Sequence, residues 1–253
     1  MGALHQGHIS LVETAAAECD FVVTTIFVNP TQFGPNEDFD KYPRTLEDDL
    51  AKCKAAGADL VFVPDVAIMY PKGSETTVRV AGPTEVLEGA HRPGHFDGVT
   101  TIVAKLFHVT EPDKAFFGQK DFQQQLVIRR MVEDLNWALE IVMCPTVREA
   151  DGLAMSSRNR YLSAAERQTA VQISAALREA EQASTTADAV PSVDGLELDY
   201  AVVVDSETLQ PISNQDALVA NRSPAVALIA AKVGATRLID NQILGFRFSH
   251  QTD

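Results

Sequence analysis

Met1-Gly2-Ala3-Leu4-His5-Gln6-Gly7-His8 runs directly into Ile9, Leu11, Val12 and Ala15–Ala17. Those apolar residues recur at helical spacing, so a loop carrying two glycines and two histidines opens an amphipathic helix. This is the second half of a strand–turn–helix unit, and the strand that would lead into it is not in the sequence. Outward from there, the run DFVVTTIFV (Asp20–Val28) is β-branched and apolar without a helical period, as in a buried parallel strand. Thr45–Ala56 follows as a helix with Leu46, Leu50, Cys53 and Ala56 on one face, ended by Gly57. Leu60–Val63 reads as a strand, and Val99, Ile102, Val103, Leu106 and Val109 as a helix stopped before Pro112. Lys114–Phe117 is a strand, Asp121–Leu135 a helix, and Leu139–Cys144 a strand closed by Pro145. Alternating strands and helices predict an α/β fold with a doubly wound parallel sheet over residues 1–146, short of its first strand.

Residues 147–253 change character. A polar loop, Arg148-Glu149-Ala150-Asp151-Gly152, precedes a helix over Ser163–Ala183, with Ser163 and Glu166 spaced as a capping box. Ser184–Val193 reads as a linker. Strands at Leu198–Val204, Ala225–Ala231 and Thr236–Ile239, separated by Pro211 and Asn221–Pro224, complete a smaller α+β domain.

The chain has 253 residues, 45% hydrophobic and 22% charged, which is the composition of a globule able to bury a core without disulfide or metal. Its net charge of −14 would on average repel a phosphate backbone, which argues against nucleic acid as the main partner. A small nucleotide is not excluded, because a few placed cations and amides decide that. Cys19, Cys53 and Cys144 are too widely spaced for a zinc ribbon or a disulfide framework, so reduced buried thiols are expected. No leader and no apolar run of membrane-spanning length is found, so a soluble cytoplasmic protein is expected.

Four constellations could carry chemistry. His5 and His8 lie one turn apart where a helix begins; its unsatisfied N–H groups attract phosphate, and Gly7 lets a nucleotide approach. A capping His beside a surface His is the plainer account. Met155-Ser156-Ser157-Arg158-Asn159 offers hydroxyls, amides and a guanidinium as an anion cradle, or else a capping loop before Ser163. Gly118-Gln119-Lys120-Asp121 lies at the carboxyl end of a strand, where ligands of open α/β sheets bind. Lys120 would bind phosphate, Asp121 a ribose hydroxyl or the next helix as its cap, and Gln124 would face the same cleft one turn on. Asn29 and Gln32, beside Phe27 and Phe33, suit the hydroxyls of a small polar substrate, with an Asn-Pro turn as the alternative.

In order, MGALHQGH, FVNPTQF, NEDFDKYPRT, LEGAHRPGHFDGV, FGQKDFQQ and READGLAMSSRN resemble the pantothenate synthetase (pantoate–β-alanine ligase) family, and the likeness resumes at Thr236–Asn241. The resemblance implies a Rossmann-like nucleotidylyltransferase fold with a HIGH-type histidine pair, and MSSR in place of a KMSKS-type loop. It implies condensation of pantoate with β-alanine through a pantoyl-adenylate, with ATP as substrate, Mg²⁺ on its phosphates and a homodimeric enzyme. By the same resemblance, Met1, Gly2, Ala3, Leu4, His5, Gln6, Gly7 and His8 would line the ATP site, His8 as the proton donor. Gly118, Gln119, Lys120 and Asp121 would hold ribose and phosphate, Val147 the adenine, and Met155, Ser156, Ser157 and Arg158 the phosphates. Gln32 and Gln124 would orient pantoate, and Gln32 would also reach β-alanine. Asp48 and Asp49 are candidates for Mg²⁺; Arg92 and His95 sit in a family block without an assigned role. Two alternatives stand beside the ligase. One is a nucleotidylyltransferase acting on a phosphorylated substrate, against which the neutral Asn29/Gln32 pocket argues. The other is an inactive nucleotide-binding remnant, which the absent strand favours. A tRNA synthetase is disfavoured by the acidic charge and the lack of a basic appendage.

Overall fold

The computed structural model describes residues 2–35, 37, 39–183, 195–212 and 224–244. Met1, the expected linker Ser184–Val193 and residues 221–223 of the expected break lie outside the described residues. The chain divides into two compact units, one of residues 1–147 with 155–157, the other of 148–154 with the chain from 158 onward.

In the first unit β1 (Val23–Thr25) pairs in parallel with β2 (Leu60–Phe62), and β3 (Lys114–Gly118) with β4 (Glu140–Cys144). The registers place Val23 opposite Leu60 and Lys114 opposite Glu140. Among the described residues no strand joins the two pairs. Helices α1 (Gln6–Glu18), α2 (Leu46–Ala55), α3 (Val66–Met69), α4 (Glu88–His91), α5 (His95–Thr110) and α6 (Phe122–Asp134) surround them. Successive side chains of a strand point to opposite faces, and here both faces are covered. Val61 packs against Leu4, Ile9 and Cys53, whereas its neighbour Phe62 packs against Met69 and Ile102. Phe116 meets Val12 and Ala15 of α1, and Phe117 meets Val99 and Val127 of α5 and α6. Helices on both sides of parallel strands make the arrangement doubly wound.

Two local expectations are corrected. The strand expected over Asp20–Val28 has only three residues in its ladder, and Phe21 is exposed. On α2 the expected apolar stripe is also displaced: Leu46 and Leu50 are exposed, while Asp49 and Cys53 are buried. The hydrogen bonds Asp49 makes, described below, turn its face of the helix inward.

The second unit packs α7 (Ala164–Ala183) on an antiparallel sheet of order β5 (Glu197–Asp205), β6 (Ala225–Val233), β7 (Thr236–Leu244). Ser163 and Glu166 form the expected capping box: each backbone N–H donates to the other's side chain, at 2.8 and 3.3 Å. Ala170, Ile173 and Leu177 of α7 form one core with Ala227, Ile229 and Ala231 of β6, small residues alternating along the strand. β7 is longer than its hydrophobic run alone predicts, because Asp240 and Asn241 interrupt the apolar pattern without interrupting the ladder. All three cysteines are free thiols, with Cys53 and Cys144 buried. No described helix is long and apolar enough to cross a membrane.

Candidate active site

The loop ahead of α1 is held from α2. The Asp49 carboxylate, 1% exposed, accepts the N–H of Ala3 at 2.8 Å and of Leu4 at 2.7 Å, while Lys52 donates to the Leu4 carbonyl at 2.7 Å. Asp49 and Lys52 are one turn apart on α2, so a single face grips both kinds of backbone group. The path needs left-handed backbone at Gly2, φ +92°, where a Cβ would also stand 3.2 Å from Asp49 Oδ2. Ala3 follows at φ 52°. Leu4 anchors the loop below, in the cluster of Ile9, Ile26 and Cys53. No sequence signal identified this clamp, since an acid and a lysine on a surface-patterned helix do not name a partner forty-odd residues away.

The loop delivers two imidazoles to the start of α1. His5 is the N-cap, and its ring lies 4.0 Å centroid to centroid from that of His8. The N–H groups of His8 and Ile9 donate to the His5 carbonyl, at 2.8 and 3.1 Å. Gln6 and Gly7 therefore carry the amides that by position have no intrahelical acceptor, at the positive end of the helix dipole. His5 N–H donates to His8 Nδ1 at 3.3 Å, which places the proton of a neutral His8 on Nε2. The pKa of His8 is pushed down to about 3, first by burial, then by the imidazole of His5, with smaller effects from Lys120 and Lys52. His8 is thus a neutral hydrogen-bond donor, and Lys120 from the far side of the sequence lies within its electrostatic reach. At Gly7 a Cβ would stand 3.0 Å from Cε1 and Nδ1 of His5, so any larger residue would press on that imidazole.

The Asn29–Gln32 loop follows β1. Asn29 is 1% exposed, and both ends of its amide are engaged within the protein. Nδ2 donates to Gln32 Oε1 at 3.1 Å and to the Gly98 carbonyl at 3.0 Å; Oδ1 accepts from Tyr70 Oη at 2.8 Å and Thr31 Oγ1 at 3.0 Å. Whatever Asn29 does toward a substrate, in this structure it holds Gln32. Gly98 allows α5 to lie against this turn, since a Cβ there would collide with the Thr31 carbonyl. Arg92 and His95, which the sequence left without a role, converge on the Gln32 main chain. His95 Nδ1 lies 2.8 Å and Arg92 Nη2 3.4 Å from its carbonyl oxygen.

Gly118 ends β3, and a Cβ there would meet nothing within 4 Å. Gln119–Asp121 form one 3₁₀ turn; Gln119 and Lys120 are half-buried and Asp121, the N-cap of α6, is exposed. Gln124 is half-buried in the first turn of α6, whereas its neighbour Gln123 is buried and holds the 83–88 segment through Pro83, Val86 and Glu88. The Val147 carbonyl accepts the N–H of Met155 at 3.0 Å, and Met155 approaches Gly7, whose Cβ position lies 3.6 Å from Met155 Cβ. Val147, Met155, Ser156 and Ser157 therefore belong to the same unit as the histidine pair. Arg158 belongs to the second unit. There the 148–154 turn is tied down by Arg148 on Asp240 and Arg167 on Glu149 and Asp151, with Asn159 donating to Glu149.

Asp48 and Asp49, the candidates for Mg²⁺, both have partners within the protein. Asp49 uses both oxygens on the loop, Asp48 pairs with Lys52 at 2.6 Å, and no group of three or more metal-ligating side chains exists among the described residues. A Mg²⁺ ion would fit here only as a partner of nucleotide phosphates, the way it is commonly carried into such sites.

The family model for pantoate-beta-alanine ligase matches residues 1–243. A pantothenate synthetase of Acidobacterium capsulatum is 54% identical, over 97% of this chain and 84% of its own length. That of Acetivibrio thermocellus is 52% identical over 96% and 89%. The crystal structure of a pantothenate synthetase from Thermus thermophilus superposes with a TM-score of 0.88 at 47% identity, covering 96% of this chain and 90% of that one. A Francisella tularensis pantoate-beta-alanine ligase, complexed with beta-gamma ATP and beta-alanine, gives 0.78 at 35% identity, covering 96% and 87%.

Proposed function

Because the chain belongs to the pantoate–β-alanine ligase family, we propose that it condenses pantoate with β-alanine in an ATP-dependent reaction that passes through a pantoyl-adenylate. In the first step a pantoate carboxylate oxygen attacks the α-phosphorus, a P–O bond forms, and the bond to pyrophosphate breaks. In the second the β-alanine amine attacks the acyl carbon, sheds a proton, and AMP leaves. ATP enters with Mg²⁺ on its phosphates, and the homodimeric, cytoplasmic enzyme of the family is the assembly expected; light scattering tests the dimer.

The observation that carries the reading is the neutral His8 at the start of α1, its proton on Nε2 and Lys120 close enough to lower its pKa. The attacking carboxylate is already ionised, so the reaction needs no base. It needs donors for the charge that develops on the α-phosphate and on pyrophosphate as it leaves. The Gln6 and Gly7 amides, His5, His8 and Lys120 supply them, with Gly2, Ala3 and Leu4 shaping the loop. Gly118, Gln119 and Asp121 hold ribose and phosphate. Val147 meets adenine through its N–H, its carbonyl being engaged by Met155. Met155, Ser156, Ser157 and Arg158 bind phosphate in this reading, and Gln32 and Gln124 orient pantoate.

Pyrophosphate release tests it. Purified protein with ATP, Mg²⁺ and pantoate, before any β-alanine, should release pyrophosphate stoichiometric with enzyme, then turn over when β-alanine is supplied. Pantoate-independent release, or none from folded protein, would overturn the reading.

A further inference from the structure

We infer that Arg92 and His95 are positioning residues for Gln32: with Asn29 they clamp it from opposite ends, so that its side-chain amide meets the pantoate substrate in one orientation. The inference rests on the functional reading above for the identity of that substrate. Asn29 Nδ2 donates to Gln32 Oε1 at 3.1 Å, which fixes the edge of the amide that faces Asn29 and so the rotamer of the side chain. The backbone of Gln32 is fixed independently. His95 Nδ1 lies 2.8 Å from its carbonyl oxygen, and an acceptor there requires the proton on Nδ1. His95 Nε2 is then a lone-pair acceptor, and Arg92 Nη1 donates to it at 3.1 Å.

The guanidinium is itself anchored. Arg92 Nε and Nη2 form a fork on Glu37 at 2.7 and 2.6 Å, and Nη2 also reaches the Gln32 carbonyl. Glu37, Arg92, His95 and Gln32 thus form a chain in which every donor faces an acceptor, provided the imidazole is neutral. An imidazolium would set an N–H against the guanidinium. Burial and then the Arg92 charge keep His95 below its ordinary pKa, although Glu37 and Glu88 act the other way. Burial would raise the Glu37 carboxyl, yet the Arg92 fork holds it below its usual range. Neither Arg92 nor His95 has to touch substrate. A glutamine has three side-chain torsions, and fixing both its side chain and its main chain removes that freedom before binding.

Steady-state kinetics on four variants test the inference. Arg92→Lys and His95→Gln should raise KM for pantoate by about tenfold or more, the scale of losing a hydrogen bond to a charged or buried partner, with KM for ATP held within about twofold. His95→Asn keeps an N–H close to the position of Nδ1 and should recover most of the pantoate KM. Glu37→Gln, at the partly exposed end of the chain, should give a smaller rise of the same selectivity, and it decides the matter should the buried His95 variants not fold. Pantoate and ATP constants rising together, His95→Asn no better than folded His95→Gln, or unchanged kinetics would overturn it. A wild-type protein that releases no pyrophosphate with pantoate overturns the functional reading instead, so the two failures are distinguishable.

Discussion

The main-chain N–H of Leu4 donates to Oδ1 of Asp49 across 2.7 Å, joining residues 45 apart in the chain. The carboxylate is buried and its second oxygen is engaged by Ala3, so the loop in front of the histidine pair is shaped by a charge that never reaches solvent. Asp49→Asn keeps the volume but removes the charge and one acceptor. It should cost about 1.5–3 kcal/mol of stability, the worth of hydrogen bonds to a charged group. Asp48→Ala removes only an exposed pair with Lys52 and should fall within about 0.5 kcal/mol of wild type. Urea denaturation measures both. A Mg²⁺-ligand role predicts the reverse pattern in activity, with Asp48→Ala raising the Mg²⁺ requirement.

His8→Ala should lower the rate of pantoate-dependent pyrophosphate release by about 10²–10³-fold, the scale of losing one preorganised donor. Single-turnover measurement with saturating ATP and pantoate checks it, and full activity would remove His8 from the mechanism.

The same residue leaves a mark on pH stability. Its folded pKa, about 3, lies below the ordinary 6.5, so between those values the unfolded chain binds more protons than the folded one. Stability then falls as pH drops from 6.5 toward 3, and above 6.5 the effect is absent. His95, also lowered, acts in the same direction. His8→Gln should flatten this acid limb, read as the urea midpoint at pH 7 and pH 4.5. Because His8 stays neutral in the free protein, kcat/KM should show no inflection attributable to it between pH 5 and 8.

Gly118 separates binding from folding. It has φ −75°, which any residue adopts, and a Cβ would meet nothing within 4 Å. Gly118→Ala should therefore melt within about 2 °C of wild type. If ribose and phosphate lie against this turn, the methyl meets them, and calorimetry should show ATP weakened by about tenfold. Unaltered ATP binding would move the nucleotide elsewhere.

Lys120→Ala should weaken ATP by about 10–100-fold, as loss of a charged hydrogen bond implies, with far less effect on pantoate. Titration calorimetry with ATP alone checks it.

The sequence by itself determined the class of the fold, the family and the stretches from which a site is built. Strand and helix periods are local properties: α6 and α7 begin within one residue of where capping and hydrophobic spacing place them. The histidine pair was legible because glycine and histidine before an amphipathic run have local meaning. Only the tertiary structure decided what these groups touch. Leu46 and Leu50 have the right spacing for a buried stripe, yet Asp49 turns inward because two backbone N–H groups from a distant loop meet its carboxylate. That Asn29 meets Tyr70 and Gly98 cannot be read from its own neighbourhood in the chain, and Arg92 and His95 have no legible task until Gln32 lies beneath them. The physical reason is one of range: backbone propensity and hydrophobic period act over a few residues, whereas a buried polar atom must find a partner wherever the fold brings one.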